Sequence, residues 1–162
     1  MKDPIIERFE AFTYSINSIY RHVLKIERDE MEKLGYRGSY ALYLAIMSRF
    51  PDGVTASKLS EISDRDKAGI SRTIAEMEAR GLVSRKSNKE NFYRAKLCLT
   101  EKGMDAAEFV SKKAIAAVTE AGSGISDENR AIFYECLAII AANLKKICND
   151  GLPEENESLA LE

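Results

Sequence analysis

A heptad seam near each end of the chain constrains its fold more than any other feature of the sequence. Near the N-terminus, apolar residues recur in alternating steps of four and three: Ile5, Phe9, Phe12, Ile16, Ile19, Val23 and Ile26. Near the C-terminus, the same steps connect Phe133, Leu137, Ile140, Leu144 and Ile147. A narrow apolar stripe of this period is typical of a long helix that packs against other helices. The seams therefore predict one helix from Pro4 to Leu34 and another that is capped by Ser126 and runs to Asn149.

Two shorter helices are predicted after the first seam. The segment 39–50, "SYALYLAIMSRF", is apolar on most sides and should form a buried helix. After the turn "PDG", Thr55 is placed to cap a short helix through its side-chain oxygen. Leu59 and Ile62 lie three residues apart and should face inward from that helix.

A fourth helix follows over 66–80, with Asp66 as its N-cap and Gly81 at its end. Its inward stripe is Ile70, Ile74 and Met77. Two strands follow, over 82–87 and 92–100, and the polar tip "NKEN" joins them. A fifth helix is predicted over 100–121. The predicted fold class is mainly α (α+β), with one small β-hairpin.

Cysteine usage and hydropathy restrict the class of protein. Cys98, Cys136 and Cys148 are far apart and form no CxxC pair, which favours a reducing cytoplasm over a disulfide framework or a zinc site. Cys98 and Cys136 are expected in the core, and Cys148 is expected to be exposed. The N-terminal "MKDPIIERFEAF" has acids among its apolar residues, unlike a signal peptide. No run of 18 apolar residues occurs, so no membrane span is predicted.

The charge distribution is more informative than the net charge of −2. From Gly53 to Gly103 the chain has eleven Lys and Arg against seven Asp and Glu, 11 − 7 = +4, so the remaining segments total −2 − 4 = −6. After Cys148 there are five acids and no base, and the segment 150–162 reads as an acidic disordered tail. An average charge near neutrality therefore hides a basic middle between acidic ends.

The helix over 66–80 has an outer face suited to contact with DNA. If Ile70, Ile74 and Met77 face inward, then Lys67, Ser71, Arg72 and Ala75 face outward. Small residues allow a close approach to the major groove, Arg72 can reach guanine acceptors or a phosphate, and the Ser71 and Thr73 hydroxyls can donate to phosphate oxygens. The positive end of the helix dipole adds to this attraction.

The hairpin supplies a second basic element. Within 85–96 it has five cations against the single acid Glu90; the cations are Arg85, Lys86, Lys89, Arg94 and Lys96. Two strands with a polar tip can form a wing that lies along the DNA backbone or inserts an arginine into the minor groove. Helix, turn, helix and basic hairpin is the winged helix-turn-helix order.

The stretch "TASKLSEISDRDKAGISRTIAEMEARGLVSRKSNKENFYRAKLCLTEKG" resembles the MarR family of bacterial regulators, most closely in "ISRTIAEMEARGLVSR" and "LTEKG". The resemblance implies a homodimer that binds double-stranded DNA at a pseudo-palindromic operator, as a repressor released by a small-molecule effector. By position, Ser71 and Arg72 match the family's polar pair in the recognition helix, and Arg94 matches its wing arginine. Phe92 stands where the family has an aspartate that orients this arginine.

The resulting assignments cover the whole chain. Segments 1–36 and 122–149 are expected to be dimerisation helices, and 37–121 to be the winged helix-turn-helix region. The dimerisation residues are expected to be Ile5, Phe9, Phe12, Ile16, Phe133, Leu137, Ile140, Leu144 and Ile147. The DNA-binding residues are expected to be Thr55, Ser57, Lys67, Ser71, Arg72, Thr73, Arg85, Lys86, Lys89 and Arg94.

Other functions have less support in the sequence. A dimeric adaptor that binds protein through the winged helix is the main alternative. An enzyme is not expected, because the chain has no GxSxG, P-loop or GxGxxG motif and its only histidine, His22, has no obvious catalytic or metal-binding neighbours. No cofactor or metal is expected. An effector pocket between the dimer helices and the winged helix has three tyrosines and one arginine as candidates, for which interdomain packing is at least as good an interpretation: Tyr14, Tyr36, Arg37 and Tyr40.

Overall fold

The computed structural model describes residues 4–86 and 95–152. The chain divides into two compact units, Met1–Ala116 and Ala117–Glu162. Along the chain the helices and strands are α1 (Pro4–Lys33), α2 (Tyr40–Met47), β1 (Val54–Thr55), α3 (Ala56–Ser63), α4 (Lys67–Ala79), β2 (Val83–Lys86), β3 (Lys96–Leu99), α5 (Glu101–Ala121) and α6 (Asp127–Asp150). The six predicted helices and the hairpin strands are confirmed, and the fold class is mainly α with a small antiparallel sheet. The predicted acidic tail lies outside the described residues from position 153 onward.

The sheet has one strand more than the sequence analysis predicts. Its order is β1-β3-β2 with antiparallel pairing, and Val54 of β1 faces Leu97 of β3. β1 has only two residues, too few to show a strand period, and Thr55 also serves as the N-cap of α3. Such a short strand forms because β3 offers it a free edge, and this edge is created by tertiary structure.

Two helices end in the same glycine-based turn. After α1, the Tyr36 amide donates to the Met31 carbonyl (3.0 Å) and the Gly35 amide to Glu32 (2.9 Å), with Gly35 at φ +73°. After α4, the Leu82 amide donates to Met77 and the Gly81 amide to Glu78, each over 2.9 Å. This is the Schellman arrangement, in which a left-handed residue satisfies the last helix carbonyls. The turn leads the chain from α4 directly into β2.

The core of the first unit surrounds α2. Six of the eight residues of α2 are buried, as predicted for this apolar segment. Fully buried large side chains from the surrounding elements complete the core: Met31, Leu59, Ile70, Ile74, Met77, Leu82 and Leu97. Ile62 is a correction, because 36% of its surface is exposed. It lies about 60° around the helix from Leu59, on the side away from the half-buried Ser60 and Ser63.

The start of α5 lies against the turn that follows α4. The Thr100 hydroxyl donates to the Gly81 carbonyl (2.6 Å) and accepts from the Gly103 amide (3.0 Å), so it caps α5. A Cβ atom on Gly103 would lie 2.0 Å from the Leu82 carbonyl oxygen. Glycine at 103 therefore allows the closest approach between α5 and the beginning of the hairpin.

The second unit contains α6, which has no buried residue. Ser126 caps it as predicted, since its hydroxyl accepts from the Asn129 amide (3.3 Å). Cys136, expected in the core, is exposed, because it lies on a helix with no buried residue. Cys98 is buried and Cys148 exposed, as predicted. None of the described helices combines the length and the apolar character that spanning a membrane requires.

Candidate nucleic-acid interface

The turn between α3 and α4 is held by local hydrogen bonds. Thr55 caps α3 by accepting from the Lys58 amide (3.2 Å), and Asp66 caps α4 by accepting from the Gly69 amide (2.7 Å). Between the helices Asp64 has left-handed backbone angles (φ 52°, ψ 39°), and the Ser60 hydroxyl donates to the Arg65 carbonyl over 2.7 Å. Both predicted caps are confirmed. The two helices therefore form a helix-turn-helix unit with α4 as its second helix.

The outer face of α4 has the composition that the sequence predicts. Ile70, Ile74 and Met77 are at most 1% exposed and fasten the inner side to the core. On the opposite side Lys67, Ser71 and Arg72 are exposed, together with the small residues Ala68 and Ala75. None of the three polar side chains has a hydrogen bond or an ion pair to another described residue. This face therefore presents two free cations and a hydroxyl close to the helix N-terminus.

Thr73 does not belong to this outer face. It is half-buried, and its hydroxyl donates to the Gly69 carbonyl over 3.1 Å. It also interacts with the Tyr43 hydroxyl, whose pKa is raised mainly by burial. The prediction of a phosphate contact for Thr73 is therefore corrected, because its hydroxyl hydrogen is used within the protein.

Thr55 and Ser57 lie at the start of α3. The Thr55 oxygen accepts the capping hydrogen bond, so its own hydrogen remains available to a partner. Ser57 is exposed and, within the described parts of the chain, has no side-chain partner. Both lie at the start of α3, the first helix of the helix-turn-helix unit.

The hairpin cations differ in their surroundings. Arg85 on β2 forms a two-pronged ion pair with Glu78 of α4: its Nε lies 2.7 Å from one carboxylate oxygen and its second terminal nitrogen 3.0 Å from the other. Hydrogen bonding to this carboxylate raises the pKa of Arg85 above its ordinary value. Lys86 is exposed and has no partner among the described residues. Lys89, Phe92 and Arg94 lie outside the described residues.

A second carboxylate of α4 is also paired within the protein. Glu76 accepts from Arg37 at 2.7 and 2.8 Å and from the Tyr40 hydroxyl at 3.1 Å. Burial, and then the hydrogen bond to Glu76, raises the pKa of Tyr40. Tyr36 contacts the Tyr40 ring at 6.3 Å between centroids. These residues hold the α1–α2 turn to α4, which favours packing over an effector pocket.

An open groove of about 620 Å³ lies elsewhere, between α1, α2 and the turn before α4. Its walls combine apolar side chains with charged ones; they include Tyr20, Leu24, Tyr43, Glu27, Arg28 and Arg65. Burial raises the pKa of Glu27, and Arg65 reaches the Tyr20 hydroxyl at 3.4 Å. Sequence reasoning missed this site. The heptad seam is the only sequence signal on α1 that could have indicated a wall of this groove, and Tyr20 does not belong to the seam.

A metal centre has no counterpart in this part of the molecule. Residues 4–86 and 95–152 contain no group of three or more His, Cys, Asp and Glu side chains placed to bind a metal ion. His22 is exposed, and its Nδ1 lies 2.8 Å from the Ser18 carbonyl one turn earlier on α1.

Comparison with known proteins agrees with this geometry. Residues 34–91 match the sequence model of the MarR family. A MarR family transcriptional regulator from Listeria monocytogenes, solved in complex with a 26-mer DNA, is 24% identical with a TM-score of 0.76, over 94% of this chain and 98% of that one. The transcriptional regulator SlyA is 21% identical with a TM-score of 0.77, over 83% and 94% of the two chains.

A third solved structure, a MarR transcriptional regulator from Methanosarcina mazei Go1, is 23% identical with a TM-score of 0.74, over 91% of this chain and 94% of that one. At these identities the likeness demonstrates the shared winged helix-turn-helix fold. No curated protein sequence matches the chain.

Proposed function

The segment 34–91 of this chain belongs to the MarR family, and from this premise we propose that the chain is a homodimeric, DNA-binding transcriptional regulator, a binding protein rather than an enzyme. The observation that carries the proposal is the outer face of α4. Lys67, Ser71 and Arg72 are exposed there and have no side-chain partner among the described residues, and they lie next to the small residues Ala68 and Ala75. A major groove about 12 Å wide admits such a helix, and Arg72 can donate two hydrogen bonds to a guanine.

Contacts to phosphate are expected to position α4 in the groove. Thr55 and Ser57 lie at the start of α3, and Lys86 lies on β2 with its ammonium group free among the described residues. Lys and hydroxyl side chains on both sides of a recognition helix are suited to the two strands of the backbone. The DNA in the solved Listeria monocytogenes relative supports the same class of partner.

Dimerisation is supported by apolar surface on α1 and on α6. On α1, Ile5 is 68% and Phe9 66% exposed. On α6, Phe133 is 45% and Leu144 49% exposed. Soluble monomers rarely expose contiguous apolar stripes of this length, and a heptad period is typical of helices that pair. We propose that a second copy covers both seams. Two copies would then present two α4 helices to half-sites about one helical turn apart on a pseudo-palindromic operator.

A band-shift titration against the DNA upstream of the protein's own gene tests this function. We expect a salt-dependent complex that survives excess unrelated DNA, and whose log affinity falls linearly with log salt concentration. The alternative is a dimeric adaptor that binds protein through the winged helix. A folded dimer that binds neither its upstream DNA nor unrelated duplex DNA at low salt would favour the adaptor.

We also propose that a small effector controls DNA binding from the groove of about 620 Å³. This groove includes Arg65 and Asp66 of the turn before α4, together with Gly69 in the first part of that helix. An apolar wall with an arginine suits a small aromatic carboxylate. Benzoate is a simple probe: it should lower DNA affinity and raise the unfolding temperature of the wild type, and an Arg65→Ala variant should respond to neither. As a DNA-binding regulator, the protein is expected to act in the cytoplasm.

A further inference from the structure

Two elements of the proposed DNA-binding surface are joined by an ion pair. Arg85 lies on β2, the first strand of the wing, and Glu78 lies in the last turn of α4. Both carboxylate oxygens of Glu78 are used, at 2.7 Å from Nε and 3.0 Å from the second terminal nitrogen of Arg85. A fork of this kind matches the planar guanidinium to the planar carboxylate and restricts both in direction as well as distance.

This pairing gives Arg85 a different setting from its neighbour. The Arg85 side chain is 48% exposed and that of Glu78 26%, so the pair is partly shielded from water. Lys86, the next residue, is exposed and has no partner in the described segments. Two N–H groups of Arg85 donate to the Glu78 carboxylate, and this carboxylate neutralises the charge of the guanidinium locally. If Arg85 turned toward a phosphate, it would lose both hydrogen bonds.

We propose that Arg85 is a positioning residue, which joins the wing to the recognition helix through Glu78 and does not contact DNA phosphate. This inference rests on the proposed function, because a positioning role matters only if α4 and the wing bind the same duplex. In this proposal Glu78 on α4 is the acid that orients an arginine of the wing. The aspartate that the family resemblance leads us to expect within the wing, beside Arg94, is Phe92 in this chain.

The path of the chain supports this role. β2 follows α4 through the turn at Gly81, and Leu82 and Val83 are buried at 0% and 4%. These contacts hold the base of the strand. Arg85 lies two residues beyond Val83 and pairs with Leu97 of β3, at a position where the side chain on β2 is exposed. The ion pair with Glu78 therefore restrains the strand at the point where it leaves the core.

Three variants separate a positioning arginine from a phosphate contact in DNA-binding titrations. Lysine binds phosphate well as a point charge but cannot form the fork. A positioning role predicts that Arg85→Lys loses affinity nearly as much as Arg85→Gln, by about three- to tenfold. It also predicts a loss, not a gain, for Glu78→Gln. A phosphate contact predicts the reverse: Arg85→Lys close to wild type, and Glu78→Gln tighter because the arginine is released.

The salt dependence of binding adds a direct count of phosphate contacts. The slope of log affinity against log salt is negative, and each lost contact reduces its magnitude by about 0.9. We expect Arg85→Gln to leave this magnitude unchanged, while the matched control Lys86→Gln reduces it. An equal reduction for both variants would overturn the inference.

Unfolding by urea tests the ion pair between Glu78 and Arg85 without any DNA. In a double-mutant cycle with Glu78→Gln and Arg85→Gln at equal protein concentration, the two single changes should be non-additive, with a coupling of about two- to fivefold in the unfolding equilibrium constant. Strictly additive effects would show that Glu78 and Arg85 do not stabilise each other, and would overturn the inference even if DNA binds. If wild type binds no duplex DNA while the cycle shows coupling, the proposed function fails and the interaction between Glu78 and Arg85 is retained.

Discussion

Replacing Arg72 by alanine is the most direct test of the proposal that the outer face of α4 contacts DNA bases. Arg72 is exposed on α4, with Ile70 and Ile74 on the buried side of the same turn at 1% exposure. It forms no hydrogen bond or ion pair with other described residues, so truncation removes no polar interaction within that part of the chain. Alanine also favours the helix slightly more than arginine does. The free energy of unfolding should therefore change by no more than about 0.5 kcal/mol.

The effect on DNA binding should be much larger. A bidentate contact between an arginine and a guanine contributes about 1–3 kcal/mol of discrimination. A homodimer presents the contact twice, so the loss is about 2–6 kcal/mol. Since about 1.4 kcal/mol is tenfold, affinity for the operator should fall at least about 25-fold. Affinity for unrelated DNA should fall far less, because binding there depends on charge alone.

Fluorescence anisotropy with labelled operator, and with a scrambled duplex of equal length, measures both affinities at one salt concentration. Arg49→Ala is a matched control: it removes the same side chain and charge from an exposed position, after α2, that has no side-chain partner among the described residues. The reasoning is refuted if Arg72→Ala binds the operator as tightly as wild type. It is also refuted if Arg72→Ala and Arg49→Ala lose specific affinity equally.

Three further changes test the fold and the assembly. Gly103→Ala places a Cβ atom 2.0 Å from the Leu82 carbonyl oxygen and should lower the free energy of unfolding by about 1–3 kcal/mol in urea titrations; an unchanged midpoint would contradict the close approach. Phe9→Asp puts a charge on the seam and should raise the dimer dissociation constant at least about tenfold by analytical ultracentrifugation; an unchanged constant would exclude this seam. Hydrogen bonding to Lys33 lowers the pKa of Glu30 in the folded state below its ordinary 4.5. The Glu30 carboxylate thus contributes to stability above pH 4.5, and this contribution is lost as the pH falls through the folded-state pKa. We expect Glu30→Gln to reduce the loss of stability at acid pH. An unaltered pH dependence would show that the pair contributes nothing.

The sequence by itself determined the features that depend on near neighbours along the chain. The caps at Thr55, Asp66 and Ser126 form because a side-chain oxygen reaches an amide three residues later. The turn at Gly81 needs a residue that accepts a positive φ, here +74°. The outer face around Arg72 follows from the 3.6-residue period of the helix.

Only the tertiary structure decided which polar groups of this surface are free and which are already paired. Arg85 and Arg72 look alike in the sequence, yet one is forked to Glu78 and the other has no described partner. Arg37 lies 39 residues from Glu76 and still pairs with it. Such pairings arise because folding brings distant segments within hydrogen-bond distance, and no periodicity records which segments will meet.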